Sequence, residues 1–482
     1  MSPTLSMARS RPAEALDPEQ RWTLALAGVG SFLVILDLFA VSTALPMLRL
    51  ALHASITTLD WTINAYTLTF AVLMMSTATL GERWGRRRVY AGGLLLFTVA
   101  SAACALAPDA GTLIAARAVQ GVGAAVLMPL ALALLNAAFP PARRGWAMGV
   151  FGSIAGLATV LGPVLGGVIT QALSWSWIFW INVPVGLATA VAVLLRLRDS
   201  RGARRSLDPP GLVLGGISAL ALVWGVVRAA GNGWADPTVL GSLLAGAAAL
   251  TALIVWERRA VRPMVPLRLF ADRTFGAGNA GIFLLTASLT AVVFFTAQFL
   301  QDAHAQGPLA AGLRLLPLGV VPLLLAPWTG AQADRVGTRP LIVTGLALQA
   351  VGTLALAVLA PPNVPYAALA GAMVVLGVGF TLAVPALSKA VVGSVRPADI
   401  GSASGLFSTV RQLGGAFGVA AASSAFTAVG GYGTAGDVAN GYRAAMLVAA
   451  ALATLGLAAA LTAPARREDR SRSAEASHPG GV

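Results

Sequence analysis

Residues 152–167 read GSIAGLATVLGPVLGG, a stretch without a charged side chain. Its glycines are Gly152, Gly156, Gly162, Gly166 and Gly167. A glycine inside a helix costs about 1 kcal/mol relative to alanine, so helix propensity does not explain them. Their spacing of four residues forms pairs on one helix face, where a second helix backbone can approach closely. Pro163 lacks a backbone donor and predicts a bend. Two interpretations stay open, a pivot or seal in a moving bundle and plain tight packing.

The composition predicts a protein that crosses a membrane many times. Of its 482 residues, 57% are hydrophobic and 11% are charged, whereas soluble domains average about 25% charged residues. Cys104 is the single cysteine and the three histidines are scattered, so we expect neither an internal disulfide nor a metal site. The single lysine, Lys389, does not belong to a phosphate-binding loop. We therefore expect no cofactor, no ATP motor and no enzymatic activity.

Fourteen stretches are long and apolar enough to span a bilayer, which needs about 20 residues per helix. They are residues 23–48, 59–80, 89–107, 111–136, 146–170, 177–196, 211–228, 237–256, 276–300, 310–331, 340–360, 366–389, 403–429 and 442–463. With the N-terminus inside, 27 of the 33 Lys and Arg residues fall on the inner side, 4 fall on the outer side, and the other two lie within spans. This bias follows the positive-inside rule. It predicts a plasma-membrane protein with both termini cytoplasmic, and it explains the net charge of +14 without a nucleic-acid partner.

The predicted architecture is an all-α membrane protein of 14 transmembrane helices, arranged as two six-helix bundles and an inserted pair. The predicted units are a cytoplasmic N-terminal tail (1–22), a first six-helix bundle (23–197), two inserted helices with basic flanking loops (198–274), a second six-helix bundle (275–463) and a disordered cytoplasmic tail (464–482). We expect a monomer in the lipid bilayer.

A short motif recurs after the second span of each half. Residues 81–87 read GERWGRR and residues 333–339 read ADRVGTR, and both contain acid-Arg-x-Gly-x-Arg. The motif residues are Glu82, Arg83, Gly85 and Arg86 in the first half, and Asp334, Arg335 and Gly337 in the second. Repeats of this kind are typical of transporters with a substrate site between the halves.

Asp37 is the one acid of nineteen that lies well inside a predicted span. A charge at the bilayer centre costs about 2.5–3.5 kcal/mol, which makes it a functional hypothesis. At about 1.5 Å per residue, Asp37 in the first span and Arg117 in the fourth both lie roughly 9 Å from the outer face of the hydrocarbon core. Burial favours a protonated carboxyl and a guanidinium favours an ionised one, so their competition predicts a conformation-dependent proton site. The alternatives are an aspartate held by hydroxyls such as that of Ser31, and an arginine that links helices through backbone carbonyls.

A second arginine, Arg411, lies in the thirteenth span beside Gln412, and no acid inside spans nine to fourteen neutralises it. Substrate contact and a structural role are both open. Other polar residues predicted to line a central cavity are Asn64, Tyr66, Gln120, Asn279, Gln298 and Gln301.

Several of these motifs resemble those of the major facilitator superfamily, in its 14-span drug:proton antiporter branch. The matching segments are Leu36–Pro46 in the first span, residues 78–88 in the following inner loop, Arg117 with Gln120, Gly121 and Gly123 in the fourth span, residues 152–167 in the fifth, and residues 177–184 at the start of the sixth. The resemblance implies that Asp37 and Arg117 couple transport to protons. It also implies that the glycine-rich stretch closes the cavity and sets export.

The sequence therefore predicts a secondary antiporter that exports lipophilic drugs or antibiotic-like molecules while protons enter, by alternating access of the two halves. A cationic drug would compete with the proton for Asp37, whereas neutral and zwitterionic substrates are equally open. The alternative is a proton-coupled metabolite importer of the same fold. A receptor or scaffold is a third reading, but it predicts a soluble signalling domain that the sequence does not contain.

Overall fold

The structure, a computed structural model, describes residues 16–200, 208–261, 263, 265–361, 363–396 and 399–462. Within these ranges every regular element is a helix, which confirms the predicted all-α class. The first half contains α1 (Pro18–Leu52), α2 (Ile56–Trp84), α3 (Arg86–Ala105), α4 (Ala110–Ala138), α5 (Pro141–Ala172), α6 (Trp177–Trp180) and α7 (Asn182–Arg196). Two further helices follow, α8 (Pro209–Asn232) and α9 (Pro237–Arg259).

The second half begins with a short 3₁₀ turn, Leu267–Ala271. It contains α10 (Arg273–Gln298), α11 (Pro308–Arg314), α12 (Leu316–Arg335), α13 (Thr338–Val358), α14 (Tyr366–Gly393), α15 (Ile400–Val429) and α16 (Ala435–Leu461). A π-helical turn, Phe299–Ala303, extends α10. The tail predicted at 464–482 lies outside the described residues.

Each predicted span coincides with a helix or with a broken pair of helices, but twelve helices in the described ranges are long and apolar enough to cross a membrane. The exceptions are α2 and the pair α11–α12, which contain the shorter apolar segments Trp61–Met74 and Pro308–Pro322. The count of fourteen spans therefore stays a prediction.

Several helix boundaries differ from the predicted ones for local reasons. Helix α1 begins at Pro18, before the predicted start at residue 23, because Asp17 and Gln20 form a capping box ahead of the apolar run. The sixth and tenth predicted spans are each broken into two helices. Pro184 and Pro317 follow these breaks, and neither can donate a hydrogen bond to the carbonyl four residues earlier.

The repeated inner-loop motif forms the same backbone turn in both halves. Gly85 precedes α3 with φ 98°, and Gly337 precedes α13 with φ 83°. Only glycine adopts such angles without strain, which explains its place in both copies. Arg83 is exposed, and Arg86 Nη1 donates to the carbonyl of Ala133 at 3.4 Å. The side chains of Glu82, Asp334 and Arg335 lie outside the described part of the structure.

We define the terminal end of the bundle as the end where α1 begins and α16 ends, and the far end as the opposite one. At the terminal end, Glu19 of α1 lies 3.4 Å from Arg198, which follows α7. In the second half, Asp399 lies 2.6 Å from Arg268 at the same end. The predicted cytoplasmic loops lie at the terminal end, and their orientation in the membrane stays a prediction.

The two halves pack against each other at the far end. A buried apolar cluster there includes Leu45 of α1, Phe294 of α10 and Val419 of α15. Each of these side chains is at most 3% exposed. This core joins the ends of helices from both halves and closes the far end of the bundle.

Helices α8 and α9 pack as a hairpin, in which Ser218 Oγ donates to the carbonyl of Gly246 at 3.1 Å. Helix α8 also contacts α2, through Trp224 against Trp61 with ring centroids 5.1 Å apart. Val223 of α8 shares an apolar cluster with residues of α2 and α15. The inserted pair thus bridges one helix of each half.

Candidate functional site

A fully buried ion pair joins α1 and α4 inside the first half. Arg117 Nη1 donates to Asp37 Oδ2, and both side chains have 0% exposure. The structure therefore brings together the two charged residues that the sequence places at the same depth. Their role in proton coupling stays a prediction.

The carboxylate of Asp37 accepts two more hydrogen bonds. Gln120 Nε2 donates to Oδ1 at 3.0 Å, and Asn182 Nδ2 donates to the same oxygen at 3.1 Å. Ser101 Oγ accepts from Asn182 at 3.0 Å and donates to the carbonyl of Phe179 at 2.9 Å. The donors come from α4 and α7, so the carboxylate faces the interior of the first half.

Arg117 is held by groups from its own helix and from α2. Its Nε donates to the carbonyl of Thr62 at 2.9 Å, and its Nη1 donates to Gln120 Oε1 at 2.6 Å. The ring of Tyr66 lies 4.2 Å from the guanidinium carbon, a cation–π distance. Its Nη2 is buried without a hydrogen-bond partner. The arginine therefore both pairs with Asp37 and links helices through a backbone carbonyl.

The hydroxyl of Ser31, the alternative partner of Asp37, instead donates to Met128 Sδ at 3.4 Å. In this conformation the carboxylate has no exposed surface, and within the described residues all its hydrogen bonds come from the first half. A substrate does not reach it directly in this state. The arrangement suits a proton switch better than a substrate-binding carboxylate.

The other predicted cavity residues do not form one group. Tyr66 and Gln120 belong to the buried network, and Asn64 is fully buried with no hydrogen bond to its side chain. Gln298 and Gln301 lie near the far end, where Gln301 Nε2 donates to the carbonyl of Thr43 at 3.0 Å. Arg411 and Gln412 are half-buried on α15, and Asn279 Nδ2 donates to the carbonyl of Phe275 at 2.9 Å.

Four residues, two around Asp37 and two at the far end, were not identified as candidates from the sequence. Asn182 and Ser101 complete the network around Asp37, and the signal available for Asn182 was a polar side chain just after a helix break. At the far end, Arg49 Nη2 of α1 lies 3.7 Å from Asp302 Oδ1 of the π-helical turn. Both residues lie near the ends of predicted spans, where charged side chains are common. The sequence therefore did not mark them as a contact between the halves.

The glycine-rich stretch of α5 behaves differently along its length. A Cβ built on Gly162 or Gly166 would meet α1, and at Gly166 the nearest atom is the carbonyl oxygen of Ala40 at 2.6 Å. A Cβ on Gly152 or Gly156 would meet no described atom within 4 Å. Among these four glycines, close approach of α1 is therefore confined to the pair nearer the far end.

The same helix contacts the second half through reciprocal glycines. Gly167 of α5 faces the backbone of Pro308 in α11, and Gly312 of α11 faces the carbonyl of Pro163 in α5. Each glycine allows the backbone of the other helix to approach. The bend expected at Pro163 stays a prediction, since α5 is a continuous helix through that residue.

Among the described residues, no group of three or more His, Cys, Asp or Glu side chains is arranged to hold a metal ion. The chemistry of the buried network is thus that of one carboxylate, one guanidinium and neutral amides and hydroxyls.

The chain matches the Major Facilitator Superfamily over residues 27–419 and again over residues 278–480. It is 34% identical to the tetracenomycin C resistance and export protein of Streptomyces glaucescens, over 85% of this chain and 76% of that protein. It is 35% identical to the lincomycin resistance protein of Streptomyces lincolnensis, over 96% of this chain and 97% of that protein.

A similar fold occurs in the crystal structure of a POT family transporter in complex with 5-aminolevulinic acid, with a TM-score of 0.69 and 13% identity over 91% of this chain and 94% of that chain. At this identity the likeness concerns the fold alone. The family match and the curated relatives identify a multi-pass membrane transport protein rather than an enzyme. The chain belongs to the Major Facilitator Superfamily.

Proposed function

We propose that this transporter is a proton-coupled antiporter that exports lipophilic drugs or antibiotic-like small molecules across the cell membrane by alternating access. Two curated relatives are named for export, of tetracenomycin C and of cephamycin. Others are named for resistance to lincomycin and puromycin. Inward proton movement supplies the driving force, since one charge gains about 2.3 kcal/mol per 100 mV of membrane potential.

The observation that carries the proposal is the enclosed pair of Asp37 and Arg117. An ionised carboxylate accepts the three hydrogen bonds from Arg117, Gln120 and Asn182. A proton on the carboxyl removes the charge opposite Arg117 and converts one accepting oxygen into a donor. The network must then rearrange, so proton binding and the conformation of the first half are linked.

Helix α1 connects this proton switch to the seam between the halves. Asp37 lies on the same helix as Thr43 and Arg49, which contact Gln301 and Asp302 of the second half. A rearrangement around Asp37 therefore acts on the helix whose far end closes the central space. Under this proposal the drug and the proton need not occupy the same site.

Resistance profiling in an efflux-deficient strain, with and without a protonophore, selects an exported compound from those named for the relatives. The purified protein in proteoliposomes is then assayed for proton movement during exchange of that compound. We expect Asp37→Asn to abolish substrate-dependent proton movement while substrate counterflow persists, because an amide carries no proton to release. Proton movement at the wild-type rate in a folded Asp37→Asn variant contradicts the proposal.

Two further variants make the result specific. Asp37→Asn with Arg117→Gln contains no unpaired buried charge, so it tests the loss of coupling without that source of instability. Asp236→Asn makes the same chemical change at the exposed start of α9, where asparagine also caps a helix. We expect this control to couple like the wild type.

A further inference from the structure

A second arginine lies within a membrane-spanning helix but is not paired. Arg411 of α15 is half-buried, and it makes no hydrogen bond or ion pair within the described ranges. Arg117, by contrast, has an acid, an amide and a carbonyl around it. An unpaired cation at membrane depth costs a few kcal/mol, so such residues usually face a protein interior or water.

The helix geometry indicates which space Arg411 faces. Ala422 lies eleven residues later, about three turns, and therefore on the same face of α15. Ala422 and Phe426 are buried, at 0% and 1% exposure, in the core that joins the two halves at the far end. Arg411 lies roughly 16 Å from Ala422 toward the terminal end. It thus continues the side of α15 that packs against α10, where a Cβ built on Gly418 would meet the backbone of Ala287.

Neutral polar groups accompany Arg411 on this side of α15. Ser408 precedes it by one turn on the same face and is also half-buried. Gly415 follows by one turn, and a Cβ built there would lie 3.1 Å from Thr290 Oγ1 of α10. Ser408 therefore offers a hydroxyl on this face of α15, and Thr290 of α10 lies beside Gly415.

No acid whose side chain the structure describes pairs with this cation. The sequence from 303 to 333, from 340 to 398 and from 400 to 436 contains neither Asp nor Glu. Asp302 pairs with Arg49 at the far end, and Asp37 is enclosed in the first half. The described residues therefore supply no counter-charge, which leaves the guanidinium available to an acidic ligand.

We propose that Arg411 binds an acidic group of the transported substrate, so that this transporter carries lipophilic carboxylic acids or zwitterions in preference to simple cations. This inference rests on the proposed export function and adds the substrate class to it. A planar guanidinium donates two parallel hydrogen bonds to a carboxylate, which a lysine ammonium cannot reproduce. Pairing inside a low-dielectric space strengthens this contact relative to water.

The test uses three dansyl probes that share one aromatic body: dansylglycine with a carboxylate, its methyl ester without a charge, and dansylcadaverine with an ammonium. Their binding to the full-length protein in nanodiscs is measured by fluorescence titration without a proton gradient. We expect the wild type to bind dansylglycine at least about tenfold more tightly than its methyl ester. This is the effect of one charge-assisted hydrogen-bonded contact. Arg411→Gln removes this preference and leaves ester binding unchanged, and Arg411→Lys retains part of it.

Ester binding shows that the Arg411→Gln variant is folded. Arg443→Gln removes the same charge from an exposed position near the start of α16 and keeps the wild-type preference. A wild type that binds the ester or the amine as tightly as the acid, or that binds none of the three, overturns the proposal. An Arg411→Gln variant that still prefers the acid overturns it as well. Intact acid preference without proton-coupled exchange refutes antiport and leaves the Arg411 inference standing.

Discussion

Inside the first half, the charge of Arg117 is compensated by the carboxylate of Asp37, and neither side chain has exposed surface. Removal of one member of a buried ion pair leaves an isolated charge in a low-dielectric interior, at a cost of about 3–5 kcal/mol. Removal of both leaves neutral groups that the nearby amides can still satisfy. The stabilities of single and double variants are therefore strongly non-additive.

We expect Arg117→Gln and Asp37→Asn each to lower the free energy of unfolding by several kcal/mol, about the cost of one uncompensated buried charge. The double variant regains most of this loss. Denaturant titration of the purified protein in detergent measures all four free energies and closes the double-mutant cycle. Additive losses would contradict a mutual compensation of the two charges.

The depths of Asp37 and Arg117 follow from the sequence, because the rise per residue in a helix is fixed. The partners that complete their site do not. Asn182 reaches Asp37 only because α7 starts after a break and turns this residue inward. Arg49 and Asp302 meet across the halves, and no local pattern encodes a contact between residues that distant in the chain.

At the scale of whole helices, hydropathy predicts where the spans lie, since a bilayer requires long apolar runs. It does not predict how an apolar helix is rotated or which neighbour it meets. Helix α8 is apolar around most of its circumference, so its position between α2 and α15 was not predictable. The glycine pairs of α5 were more informative, because absent side chains mark close backbone approach.

The two parts of the glycine-rich stretch differ in what surrounds them, which gives a matched test. We expect Gly167→Ala to weaken closure of the far end, because its Cβ would meet the backbone of Pro308 and a backbone cannot rotate away. Gly156→Ala meets no described atom within 4 Å and gains helix propensity, so we expect near-wild-type behaviour.

The readout for this pair is maleimide labelling of a cysteine placed at Leu45, which is 1% exposed beneath the far-end contacts, in a Cys104→Ser background. We expect labelling several times faster in Gly167→Ala than in Gly156→Ala. Equal rates would show that α5 and α11 do not contribute to far-end closure.

Alternating access requires that contacts between the halves exist in one state and break in the other. At the far end these contacts consist of the buried apolar cluster, an ion pair and a cation–π contact with an aromatic ring. Arg49 lies 3.7 Å from Asp302, and its guanidinium carbon lies 4.3 Å from the ring centre of Tyr432. These groups come from both halves and line a small cavity of about 10 Å³ above Leu45.

The closed far end should therefore depend on the charge of this latch, formed by Arg49, Asp302 and Tyr432. We expect Asp302→Asn to speed maleimide labelling at Leu45→Cys by up to about fivefold, since partly exposed ion pairs contribute up to about 1 kcal/mol and 1.4 kcal/mol corresponds to a factor of ten. Arg49→Gln loses both the ion pair and the ring contact, so its effect exceeds that of Asp302→Asn. Arg443→Gln, which removes an exposed charge outside the latch, should label at the wild-type rate. If Asp302→Asn and Arg443→Gln label equally fast, the apolar core alone holds the far end closed, and under the proposed mechanism the opening must act on that core rather than on the charges above it.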